Sequence, residues 1–175
     1  GMQVVVTIRH PAAYASSMRR LGWTHDFSSF LRQPGLVDEL VPGLRGDIEE
    51  MARRPGDILD QATLLWNVIH TVVGAYRREH PDWTFVRHED LSRDPIQGFG
   101  AVFEALDLSY TEDVKDAIRR SSDRSNPVDR EVSGRQFLTR DSRANVDNWR
   151  RRLTPTEIER VRARVADVSP LFYGD

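Results

Sequence analysis

The stretch VVVTIRHPAAYASS, residues 4–17, passes from an apolar strand pattern to a helix start through an arginine, Arg9. Its first five residues are all β-branched, which is typical of a strand buried on both faces of a parallel sheet. Pro11 suits the first turn of a helix, because the N–H that proline lacks has no intrahelical partner there. The stretch therefore predicts a strand over residues 3–8 and a helix over residues 11–21, with Arg9 at the junction.

The rest of the chain continues the alternation of strand and helix patterns. Apolar residues three or four apart predict a long helix over residues 57–79, and residues 83–86 have a second strand pattern. Proline and capping residues predict helices over residues 95–106, 111–120 and 154–168. Two strands joined by a helical crossover should be parallel. The pattern predicts an α/β fold, mostly helical, with an incomplete parallel sheet of two evident strands.

Length, composition and charge bound the class of protein. The 175 residues match the size of one domain, so a single domain is expected over residues 1–175. The sequence contains no cysteine, which excludes disulfides and thiolate metal sites, and no metal site is predicted. The net charge of -2 predicts neither nucleic acid nor a membrane as a partner. A cytoplasmic location is the default expectation.

Two irregular stretches interrupt the predicted scaffold. Residues 22–56 contain closely spaced glycines and prolines, and we expect an excursion that either walls an acceptor pocket or packs as a separate apolar cluster. Residues 121–143 are rich in arginine, which favours either a loop over a nucleotide or a solvated face.

Arg9 stands where a ligand site is expected in a fold of this class. Open α/β sheets bind ligands beyond the carboxyl ends of their strands, where helix N-termini point free N–H groups outward. The guanidinium of Arg9 could hold a phosphate through two parallel hydrogen bonds, and the hydroxyl of Ser17 could share the same anion. The alternative is a surface arginine paired with a carboxylate, beside a serine that faces solvent.

Three stretches, in chain order, resemble the sulfotransferase family that uses 3′-phosphoadenosine 5′-phosphosulfate. Arg9 and Ser17 have the eight-residue spacing of the pair that binds the 3′-phosphate in that family. TFVRHEDLSRDP, residues 84–95, resembles the family's strand, its Arg-Tyr-Glu-Asp-Leu turn and its proline-started helix. NWRRRLTPTEIERV, residues 148–161, resembles the tryptophan-centred segment and closing helix. The resemblance implies a P-loop-like α/β fold and transfer of a sulfuryl group to a hydroxyl or amine of a small molecule or glycan.

The same resemblance implies further contacts to the nucleotide. His88 stands where many members have a tyrosine close to the adenine. Arg143, with Arg140 as a neighbour, stands in the place of an Arg-Lys-Gly loop that covers the 3′-phosphate. Glu89 and Asp90 match acidic positions that would hold the turn from strand to helix.

The sulfonate-holding loop of the family has no counterpart in this sequence. That loop is a lysine-bearing turn upstream of the arginine and serine pair, whereas Arg9 stands near the start of the sequence. Gly98-Phe99-Gly100 lies within a helical pattern, and Lys115, the single lysine, lies on a predicted surface helix. His25 is the best substitute that the sequence offers for the family's general base. We therefore expect this chain to retain the 3′-phosphate half of the site.

Two alternatives to a sulfotransferase remain open at this stage. The first is a non-catalytic nucleotide-binding or interaction module, and the second is a P-loop kinase-like phosphotransferase fragment. An incomplete sheet also exposes strand edges and apolar surface, which predicts self-association.

Overall fold

The computed structural model describes residues 2–128 and 139–174. In chain order, the strands and helices are β1 (Val5–Ile8), α1 (Pro11–Leu21), α2 (Ser28–Leu31), a π-helix (Gly35–Leu40), a 3-10 turn (Pro42–Leu44), α3 (Arg45–Arg53), α4 (Ile58–Glu79), β2 (Thr84–Arg87), α5 (His88–Arg93), α6 (Pro95–Ala105), α7 (Glu112–Ser122), α8 (Ser142–Val146), α9 (Trp149–Arg152), α10 (Pro155–Arg164) and a 3-10 turn (Ser169–Leu171). Over the residues described, no helix has the length and apolar character that a membrane crossing requires.

The chain divides into two compact units. Unit 1 comprises Gly1–Arg9 and Trp83–Asn148, and unit 2 comprises His10–Asp82 and Trp149–Asp175. The expectation of one domain over the whole chain stays a prediction, as do self-association and a cytoplasmic location.

Unit 1 contains the sheet. β1 and β2 pair in parallel over four residue pairs, and together they form the whole sheet in the part of the chain that the structure describes. The predicted α/β class with an incomplete parallel sheet is therefore confirmed. Arg9 follows the carboxyl end of β1, and His88 follows that of β2 as the first residue of α5. Helix α5 packs against α6 and α8, and α6 packs against α7.

The two glycines of α6 have packing roles. A Cβ on Gly98 would lie 3.1 Å from the Cα of Leu91 in α5, and a Cβ on Gly100 would lie 3.1 Å from the ring of Tyr110. The Tyr110 hydroxyl also donates a hydrogen bond of 2.7 Å to the carbonyl oxygen of Ile96. Close approach of α6 to its neighbours therefore accounts for the Gly-Phe-Gly pattern without a phosphate-binding loop.

Unit 2 is helical and is built around α4. Helices α1 and α10 pack against α4 and against each other. One apolar cluster consists of Ala12, Ala13, Ala15, Leu59, Ala62, Trp149, Leu153 and Val161. A second cluster consists of Phe27, Val37, Val41, Ile48, Leu64, Leu65 and Val68. Four members of the second cluster come from residues 22–56, which supports the apolar-cluster alternative for that excursion.

The longer helices α1, α4, α6 and α7 begin and end within about two residues of the bounds that local signals predict. The helices predicted over residues 11–21 and 95–106 occur within one residue of those bounds, and α10 opens on the capping box of Thr154 and Glu157. Helix α10 ends at Arg164, earlier than expected. The short helices α5, α8 and α9 were not predicted.

Candidate anion-binding site

The sheet of unit 1 brings two predicted nucleotide-binding residues to neighbouring positions. Ile8 pairs with Arg87 in the parallel register. Because each strand ends at this pair, Arg9 and His88 leave adjacent strands at the same edge of the sheet. Both side chains are half-buried. This edge is the place where open α/β sheets bind ligands.

Arg140 lines a cavity together with His88, and its charge acts on the imidazole. The pKa of His88 lies below its usual value, chiefly because burial disfavours the charged imidazolium. The positive charges of Arg9 and Arg140 lower the pKa further, whereas the charge of Glu89 opposes them. Two guanidiniums therefore lie close enough to act on one imidazole, which is neutral near pH 7.

A cavity of about 330 Å³ opens beside His88 and Arg140 within unit 1. Leu91, Phe99 and Ile118 give it apolar walls, and serine side chains supply hydroxyl groups between them. Ligand sites of proteins commonly combine such apolar walls with a few polar groups. The arrangement suits a flat aromatic ring whose attached anion lies at the basic end.

Two further phosphate contacts were predicted, at Arg143 and Ser17. Arg143 lies on α8 and is exposed, and its phosphate contact stays a prediction. Among the described arginines of residues 121–143, Arg140 is the one whose charge acts on His88. Ser17 lies half-buried on α1 in unit 2, whereas Arg9 belongs to unit 1. The pairing of Arg9 with Ser17 stays a prediction. Of the Arg-rich residues 121–143, positions 129–138 lie outside the described residues.

The turn from β2 to α5 is held by an ion pair. Arg87 donates two hydrogen bonds to the carboxylate of Asp90, from Nε at 2.7 Å and from Nη2 at 3.0 Å. A two-point contact of this kind fixes orientation as well as distance. Glu89 is 5% exposed and is the nearby charge that opposes the two arginines at His88. Asp90 therefore holds the turn from strand to helix, as the resemblance implies, and it does so through its ion pair with Arg87.

His25, the candidate general base, lies in unit 2 against two phenylalanine rings. The ring centroids are 5.1 Å apart for Phe27 and 4.6 Å apart for Phe30. The Ser29 hydroxyl lies 3.4 Å from Nε2 of His25, and the backbone N–H of His25 donates to Gln61 Oε1 at 3.2 Å. These contacts give His25 a packing role, and its role as a base stays a prediction.

Lys115 is paired on the surface of α7. Its Nζ lies 2.6 Å from Oε1 of Glu112 and 5.4 Å from the ring centroid of Tyr110. In the described ranges, no group of three or more histidine, aspartate or glutamate side chains is arranged to hold a metal ion.

Sequence reasoning missed the contacts that hold residues 140–142. Asp141 caps α8 by accepting a hydrogen bond of 2.9 Å from the N–H of Ala144. An aspartate three residues before that N–H is an N-cap signal, and it could have indicated α8. The position of Arg140 has no such local signal, because its backbone N–H bonds a residue that is distant in sequence, Ser121.

Comparison with known proteins finds a partial similarity. Carbohydrate sulfotransferase 1 of Danio rerio is 36% identical to this chain over 72 residues. The match covers 41% of this chain and 17% of that protein. No model of a known protein family matches the chain, and no solved structure matches it. The distant similarity supports a sulfotransferase-like relationship, and with it a relationship to transferases.

Proposed function

We propose that this protein is a sulfotransferase-like nucleotide-binding protein whose unit 1 holds the 3′-phosphate of 3′-phosphoadenosine 5′-phosphosulfate. The observation that carries the proposal is geometric: Arg9 and His88 follow the ends of the paired strands β1 and β2, and Arg140 lines a cavity together with His88. The nucleotide is a co-substrate that supplies the sulfuryl group.

The chemistry of the three side chains fits a phosphate. A guanidinium keeps its positive charge at any physiological pH and presents N–H groups in a fork that matches two phosphate oxygens. The neutral imidazole of His88 adds one N–H donor or one acceptor, according to its tautomer. Two fixed charges and a hydrogen-bonding ring suit a phosphate dianion next to an adenosine. The cavity beside His88 has room for an adenine ring against Leu91 and Phe99.

The acceptor is proposed from the sulfotransferase resemblance. That family transfers the sulfuryl group to a hydroxyl or amine, and the name of the Danio rerio relative refers to carbohydrate. We propose a hydroxyl or amine of a small molecule or glycan as the acceptor for this protein.

A non-catalytic nucleotide-binding module is the second candidate, because the arginines and the cavity beside His88 would bind a nucleotide without any catalytic group. The 3′-phosphate site is common to both candidates, so its test comes first.

Calorimetric titration with two nucleotides tests the proposal. Adenosine 3′,5′-bisphosphate should bind more tightly than adenosine 5′-monophosphate, which lacks the group that the two arginines would hold. Arg9→Ala should weaken bisphosphate binding about ten- to hundredfold, since a charge-assisted hydrogen bond contributes about 1.5–3 kcal/mol. Added salt should weaken the interaction as well.

Arg119→Ala is the matched control, because Arg119 is an exposed arginine of α7 in unit 1 that pairs with Asp116 and lies outside residues 121–143. It removes the same charge and should leave the affinity within about twofold, since exposed charges are screened. Equal affinity for the two nucleotides would contradict the proposal. An unchanged affinity in Arg9→Ala would contradict it as well.

A further inference from the structure

Each of the three residues 140–142 donates one hydrogen bond to another part of unit 1. The pairs are Arg140 N–H to the Ser121 carbonyl oxygen at 2.9 Å, Asp141 N–H to the Pro127 carbonyl oxygen at 3.2 Å, and Ser142 Oγ to the Ser92 carbonyl oxygen at 2.9 Å. The first two donors are backbone groups. Ser142 is the one of the three that donates from its side chain, so a substitution can remove its bond alone.

Two of the acceptors lie at the ends of helices. Ser92 is in the last turn of α5, and Ser121 is in the last turn of α7. The last four carbonyl groups of a helix have no partner within the helix, so they need donors from elsewhere. The segment 140–142 supplies a donor to each of these two helix ends. It is thereby fixed across α5 and α7.

The bond from Ser142 reaches the same helix that carries His88. Helix α5 begins at His88 and ends at Arg93. Ser92 lies one helical turn after His88, is 7% exposed, and has its hydroxyl oxygen 3.5 Å from His88 Nδ1. Ser92 therefore contacts His88 through its hydroxyl and Ser142 through its carbonyl oxygen. Arg140 is held two residues away from this link.

We propose that Ser142 is a positioning residue for the phosphate site. Its hydroxyl holds segment 140–142 on α5 and sets the Arg140 guanidinium beside His88, while the nucleotide itself is held by the arginines. The inference rests on the proposed 3′-phosphate site and adds a residue to it. An arginine side chain loses much conformational freedom when it binds an anion, so a backbone that is fixed beforehand lowers the cost of binding.

A double-mutant cycle on Ser142 and Arg140 tests the inference, with adenosine 3′,5′-bisphosphate as the titrant. Ser142→Ala should weaken binding about three- to tenfold, the effect of one neutral hydrogen bond. Arg140→Ala should weaken it about ten- to hundredfold. Because Ser142 acts through Arg140, adding Ser142→Ala to Arg140→Ala should cost less than about twofold more.

A second pair of variants separates positioning from folding. Ser142→Thr keeps the hydroxyl and should bind as the wild type does, whereas Ser142→Val has nearly the shape of threonine without the donor and should match Ser142→Ala. Ser109→Ala is the control, because it removes an exposed hydroxyl of unit 1 that lies in the link between α6 and α7. It should not change binding.

Each outcome bears on one of the two proposals. If the wild type binds the two nucleotides equally, the proposed function fails. If the wild type prefers the bisphosphate but Ser142→Val equals Ser142→Thr, the positioning role is wrong and the phosphate site stands. The positioning role is also wrong if Ser142→Ala weakens binding equally with and without Arg140, or if Arg140→Ala has no effect.

Discussion

His88 in unit 1 and His70 in unit 2 are two imidazoles whose pKa is lowered in different surroundings. For His88, burial is the first cause, and the charges of Arg9 and Arg140 add to it. For His70, burial lowers the pKa to about 4, and a hydrogen bond to the Trp66 carbonyl oxygen opposes the shift. Charged neighbours contribute to the lowered pKa of His88 but not to that of His70, and only the first combination points to a candidate ligand site in this chain.

Packing explains why the imidazole of His70 is neutral. Its ring stacks on Trp66 with 3.9 Å between centroids, and Phe172 meets its edge at 5.6 Å. Nδ1 lies 2.8 Å from the Trp66 carbonyl oxygen, which can only accept, so Nδ1 carries the proton. His70 is 6% exposed. It is a neutral member of the core, whereas His88 lies beside two fixed positive charges.

The largest predicted effect is acid destabilisation through His70. Its folded-state pKa of about 4 lies below the usual 6.5, so the unfolded chain takes up the proton first as the pH falls. The contribution of His70 to the free energy of unfolding is complete above about pH 6.5. It falls by about 3 kcal/mol as the pH is lowered to about 4. Urea unfolding followed by tryptophan fluorescence from pH 7.5 to pH 4 measures this loss.

His70→Phe is the comparison variant for that experiment. Phenylalanine keeps a ring on Trp66 but does not titrate, so the variant should lose about 3 kcal/mol less than the wild type over the same pH range. The same pH slope in both proteins would show that His70 is not the group responsible.

A smaller effect is predicted at His88 when a nucleotide binds. The phosphate of adenosine 3′,5′-bisphosphate would offset the positive charges of Arg9 and Arg140, so the pKa of His88 should rise. The pKa of His70 should stay where it is, because its lowering comes from burial. Titration of the histidine ring signals by nuclear magnetic resonance, with and without the nucleotide, measures both. If the nucleotide changed the pKa of both histidines equally, or left that of His88 unchanged, His88 would not lie nearer to the bound phosphate than His70 does.

The sequence predicted those features whose signals are local. The β-branched run before Arg9 predicted β1, and the pair of Thr154 and Glu157 predicted the start of α10. Proline at position 95 and its capping aspartate, Asp94, likewise predicted α6. Each of these signals lies within a few residues of the element that it specifies.

Features that depend on distant residues were not predictable in this way. Arg140 lies beside His88 because its segment is anchored to the ends of α5 and α7, and the anchor from Ser142 joins residues 50 positions apart. A spacing argument therefore named Arg143 first with Arg140 as its neighbour, and the phosphate contact of Arg143 stays a prediction. Helix α5 starts directly after β2 without a capping serine, threonine, aspartate or asparagine before it. The burial of His70 was not predictable either, because Phe172, whose ring contacts it, is remote in sequence.

In the proposed site, Arg9 and Arg140 hold one phosphate at the carboxyl ends of β1 and β2. A crystal structure of the protein with adenosine 3′,5′-bisphosphate would locate that phosphate. We expect the 3′-phosphate within about 3.2 Å of guanidinium nitrogens from both arginines, with the adenine beside Leu91 and Phe99. A bisphosphate bound with its 3′-phosphate away from both arginines would show that the proposed site is wrong.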